Sequence, residues 1–99
     1  PIVSEVVRCS FQFRNADTGT GLEGVTGASF SYLPPGATEA TTIAPTAVPT
    51  NPKTGATEPG WFFADVTTTV EGTYKCMATC VAPSPTVIPG TFVVAPKPF

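Results

Sequence analysis

Val70-Glu71-Gly72-Thr73-Tyr74-Lys75-Cys76-Met77-Ala78-Thr79-Cys80, "VEGTYKCMATC", is the stretch on which the fold turns. Read as a strand, it sends Tyr74, Cys76, Ala78 and Cys80 to one face, because side chains alternate with period two. Two of these are thiols, which raises three readings: a metal or redox site, half of a disulfide to another strand, or small buried side chains. Along a regular strand the Cα atoms of Cys76 and Cys80 stand about 13 Å apart. That separation forbids a disulfide between them. It also forbids sharing one zinc ion through bonds of about 2.3 Å. Cys80 therefore reads as a small buried hydrophobe and Cys76 as a core residue.

Working outward, the same alternation recurs along the chain. From Val3, the positions Val7, Cys9, Phe11 and Phe13 form the inward face of a long strand that stops in the turn-rich run Asn15–Gly21. Gly27–Leu33 is a second strand, with Ala28, Phe30 and Tyr32 on one face, closed by Pro34-Pro35-Gly36. The Thr-, Ala- and Pro-rich segment that follows suits short edge strands around Thr42–Ala44 and Thr46–Val48, where prolines block unwanted pairing. Trp61–Thr68, Thr73–Ala82 and, after a turn at Pro83–Pro85, Gly90–Ala95 complete the set. Helical periodicity is absent throughout. The expected fold is all-β, a sandwich of about seven antiparallel strands in one domain over residues 1–99. Short extended arms are expected at 1–3 and 95–99.

Composition narrows the function. The charged fraction is 12% and the net charge −2, so there is no basic footprint for nucleic acid. Histidine is absent, which removes the commonest general base and metal ligand together. Serines and threonines are plentiful, but nothing of that kind activates them. The seven carboxylates fall mostly in turns, and Asp17 among Thr and Gly offers too few oxygens for calcium. No catalytic residue, cofactor site or metal site is expected. No apolar run is long enough to span a membrane, and no signal-peptide pattern is seen. Pro1 is a residue before which an initiator Met is readily lost, so the expectation is a complete cytosolic product.

Glu71-Gly72-Thr73-Tyr74-Lys75-Cys76 resembles the D-x-G-x-Y-x-C signature of the immunoglobulin fold, with Val70 where the acidic residue usually stands. The resemblance implies that the Tyr74 hydroxyl ties back to the preceding corner, that Cys76 faces Cys9, and that Phe30 takes the core tryptophan's place. In a chain with three cysteines, Cys9–Cys76 is the sensible pair, reduced in a cytosol or oxidised after lysis. The stretches "ADTGTGLEGVTGASFSYLPPG", "TGATEPGWFFADVT", "EGTYKCMATC" and "GTFVV" also look like the small immunoglobulin-like modules of bacteriophage virions. Those modules occur as capsid decoration proteins and as tail, baseplate and fibre domains.

These resemblances imply a non-enzymatic virion protein made in the host cytoplasm, a capsid decoration or cement subunit bound to the major capsid protein or other virion subunits and oligomeric in the particle. Trp61 and Phe63 share one face of their strand: either Trp61 covers the end of the core, or this face docks on another subunit, with the apolar anchors Ile2 and Phe99 in the arms as further candidate contacts. A tail, connector or fibre domain differs only in location. The alternative from another class is a cell-surface or secreted recognition domain, using the loops Asn15–Gly24, Leu33–Glu39 and Ala82–Ile88. A carbohydrate-binding module would need Trp61 and Tyr32 as its aromatic platform.

Overall fold

The computed structural model describes residues 5–96, and the arm residues Ile2 and Phe99 lie outside them. Seven strands are present and no helix among these residues: β1 Val6–Gln12, β2 Ser29–Leu33, β3 Thr41–Ile43, β4 Thr46–Thr50, β5 Thr57–Thr67, β6 Gly72–Cys80 and β7 Thr86–Val94. They form two antiparallel sheets, one of order β1-β5-β4 and one of order β3-β2-β6-β7. The chain is all-β, with two sheets sharing one core as in a β-sandwich.

Alternation puts the apolar residues where the sheets meet. In the first sheet Phe11 pairs with Phe62, Cys9 with Ala64 and Val7 with Val66. In the second, Phe30 pairs with Ala78 and Tyr32 with Cys76. Phe11 links the two layers: its ring stacks on Phe62 at 6.1 Å and on Phe30 at 5.7 Å. Phe13 meets both Phe11 and Phe62 edge-on at 5.5 Å, arrangements that add to simple area burial. Phe13, Val66, Ala78 and Cys80 are buried in the same cluster.

Gly60 fixes how the chain enters β5. Its φ is +86°, and a Cβ there would lie 2.5 Å from the Phe13 carbonyl oxygen. Only glycine combines that left-handed backbone with so close an approach. Leu22 packs over this point, its N–H donating to Phe13 O at 2.8 Å.

Several expected boundaries move. The last strand begins at Thr86 rather than Gly90. Pro89 lies inside it without breaking the sheet, because β7 is an edge strand with one side free of ladder bonds. β5 begins at Thr57 rather than Trp61. Pro59 is tolerated because β1 pairs only as far as Trp61 and β4 shifts register between Val48 and Thr50. β1 runs from Val6, and Phe13 falls just beyond its end. The two short strands occur close to where expected. They belong to different sheets, with Pro45 between them at the crossing.

Candidate functional site

Tyr74 sits at the start of β6, 1% exposed. Its hydroxyl donates to Val70 O at 2.9 Å and accepts from the N–H groups of Thr69 and Val70 at 3.3 Å. Its ring stacks on Phe92 at 4.9 Å. The residue closes the β5–β6 corner and leaves the hydroxyl no capacity for chemistry.

All three cysteines are free thiols. Cys9 on β1 and Cys76 on β6 meet between the sheets, both half-buried. Burial first, and then the neighbouring Cys76, push the Cys9 thiol up to about 11. Burial also raises Cys76, partly offset by its bond to Cys9. Neither is a thiolate near neutral pH, so neither is an activated nucleophile. Cys80 is buried, its Sγ directed at Ser84 O at 3.4 Å. Among the described residues no group of three or more Cys, Asp or Glu side chains is placed to hold a metal ion.

The carboxylates with bonded partners serve structure. Asp65 receives two bonds from Arg8, at 2.8 and 3.0 Å. That hydrogen bonding holds the Asp65 carboxyl below its usual range. The same guanidinium lies 3.9 Å from the centroid of Phe63, a cation–π contact. Glu58 accepts from Asn51 at 3.0 Å. A cleft of about 620 Å³ near Gln12, Arg14, Glu23 and Glu58 is open. Within it Arg14 donates to Gln12 at 2.7 Å and Gln12 to Pro59 O at 3.0 Å.

Trp61 and Phe63 do lie on one face of β5, opposite the inward-facing Phe62, Ala64 and Val66. Trp61 is buried, however, and its Nε1 has no hydrogen-bond partner. Phe63 is half-buried beneath Arg8. Tyr32 belongs to the other sheet and packs against the core, so Trp61 and Tyr32 form no common platform. Phe30 is 3% exposed and stacked on Phe11.

The surface that the expectations missed is the outer face of the four-stranded sheet. Thr73, Lys75, Met77 and Thr79 of β6 stand opposite Val93, Thr91, Pro89 and Val87 of β7. Ser31 and Leu33 of β2 continue the same face. Met77, Val87 and Val93 are 44%, 61% and 62% exposed, and Lys75 is the sole charge among these positions. The β6 alternation carries half of this signal. The other half needed the β7 register, which the prolines hid. Compared with protein-family models, curated proteins and solved structures, the chain matches none of them.

Proposed function

We propose that this chain is a non-enzymatic structural protein of a virion, a capsid decoration subunit built on an immunoglobulin-like sandwich. Its partner is the major capsid protein or another shell subunit. The observation that carries this reading is the outer face of β6 and β7, a sheet surface with exposed Met77, Val87 and Val93 and a single charge, Lys75. Contact cores between proteins are depleted in charge and tolerate such residues. Apolar patches of this kind on small domains mark binding faces.

The immunoglobulin-like assignment draws on two features. The order β1-β5-β4 corresponds to strands B-E-D, and β3-β2-β6-β7 to C′-C-F-G, of that fold. Tyr74 bonds to the corner upstream of it, two residues before Cys76, as the fold's corner tyrosine does. A subunit that binds the shell across a broad face stabilises it by mass action alone.

The test is co-sedimentation of purified protein with expanded capsids, comparing wild type with Met77→Lys and Val87→Lys. Binding that the lysines abolish supports the reading; failure to associate with any virion overturns it. The secreted recognition domain remains the second reading because Cys9 and Cys76 meet between the sheets. A quantitative Cys9–Cys76 disulfide in freshly made protein, found by non-reducing mass spectrometry, favours it over the first.

A further inference from the structure

Two antiparallel sheets leave four edge strands, β1, β4, β3 and β7. Exposed edges invite pairing, and proteins block them with prolines, bulges or brevity. β4 contains Pro49 and a register shift, β7 contains Pro89, and β3 has 3 residues. β1 has 7 residues and no proline. Its one cation, Arg8, is held on the outer face by Asp65 and Phe63 and does not guard the edge.

Which of its groups point outward follows from the ladder. The Glu5 carbonyl accepts from Thr68 N, and Phe13 N donates to Gly60 O, so the odd-numbered residues bond to β5. The N–H and C=O groups of Val6, Arg8, Ser10 and Gln12 therefore face the free side.

An apolar groove of about 360 Å³ runs beside that edge, lined by Val7, Cys9, Phe11, Cys76, Ile88 and Phe92. It exists because the second sheet has one strand more than the first. Cys9 meets Cys76 of β6 and Phe11 stacks on Phe30 of β2, so β7 extends beyond β1. At its centre the exposed Gly90 has no side chain; a Cβ there would come no nearer than 4.0 Å to Cys76 Sγ.

We infer that the free edge of β1 binds an extended strand from another polypeptide, which completes the first sheet and covers β7. Among the described residues no strand takes the place that strand A holds beside strand B in the immunoglobulin-like order. The inference rests on strand order and edge chemistry, and does not depend on the virion reading. The same geometry selects the occupant. Antiparallel pairing with the β1 edge of a second copy is excluded, since it sets both sandwiches on the same side of the joined sheet, where their overhanging β7 strands would claim the same space. The occupant is a lone arm, apolar at alternate positions and uncharged toward the groove, because the one charged residue that lines it, Arg8, carries its side chain to Asp65 on the outer face. A seven-residue strand of about 23 Å buries less than the roughly 800 Å² per partner of a standard interface. The contact is therefore weak alone and gains strength when the arm is tethered to a larger assembly.

The test titrates ¹⁵N-labelled protein with a peptide alternating Thr and Val, carrying two C-terminal lysines for solubility, and with a control whose valines are aspartates. The expected result is shifts confined to β1 and the Ile88–Phe92 segment, slowed exchange of the Val6, Arg8, Ser10 and Gln12 amides, and no response to the control. Ser10→Pro removes an outward donor without touching the β5 ladder, and should weaken binding by at least about tenfold. If that variant does not fold, protection of Cys9 from iodoacetamide in the wild type, by the peptide and not by the control, serves instead. Shifts elsewhere, no binding at millimolar peptide, equal binding by Ser10→Pro, or unprotected Cys9 overturns the inference. So does slow exchange of those four amides in the free protein, which would mean that the edge is already paired.

Discussion

The hydroxyl of Tyr74 bonds both backbone groups of Val70, donating to its carbonyl at 2.9 Å and accepting from its N–H at 3.3 Å. A single oxygen thus holds the corner that aligns β5 with β6. Tyr74→Phe keeps the buried ring and its stack on Phe92 but strands the corner's polar groups. The expected loss is about 2 kcal/mol, read as a lower denaturant midpoint at unchanged slope.

Gly60 and Gly36 have similar positive φ, +86° and +77°, but nothing lies within 4 Å of a Cβ built on Gly36. Gly36→Ala should cost about 1 kcal/mol, the left-handed backbone penalty alone. Gly60→Ala adds the collision with the Phe13 carbonyl and should cost about 3 kcal/mol or more. Paired thermal melts measure the difference, which isolates the steric contribution.

Arg8 and Asp65 make an exposed, bidentate pair. Because the Asp65 carboxyl is held below its unfolded value, the stabilisation it gives is present above the usual aspartate range and is lost as pH falls through the folded value. A carboxyl-detected NMR titration should place Asp65 below an ordinary aspartate, and Arg8→Met should return it toward normal. High salt should weaken the pair.

Cys9 makes the opposite statement at high pH. Its folded thiol titrates near 11, against 9.0 for the free group. Between those values the folded state holds a proton that the unfolded state has lost, so stability falls as pH rises. Alkylation of Cys9 by iodoacetamide should follow the same ionisation and be slow at pH 8. Cys9→Ser should remove the alkaline loss of stability attributable to this group.

Much of the interior was legible because alternation is local. The runs Val7–Phe11 and Phe62–Val66 name their own inward faces, and Tyr74 names its corner. Pro59 and Pro89 misled because proline forbids a strand only where both sides must donate. The prolines marked the two short strands as edges, but that β1 and β7 also lie at an edge, or that β5 runs past its neighbours' pairing, is a property of the assembled sheet. Trp61 shows the same limit: its place opposite Phe62 could be read from spacing, whereas its burial depends on neighbours distant in sequence. The outer face of β6 and β7 and the bare edge of β1 exist only once registers are set.

The placement of Pro49 and Pro89 also sets a valence. Among the described residues the β4 and β7 rims carry proline and the β3 rim is 3 residues long, so a unit that receives a strand on β1 has no second long rim to pass the pairing on. Such a molecule ends a ladder after a single step, which lets it be crowded at high density without polymerising through its sheets.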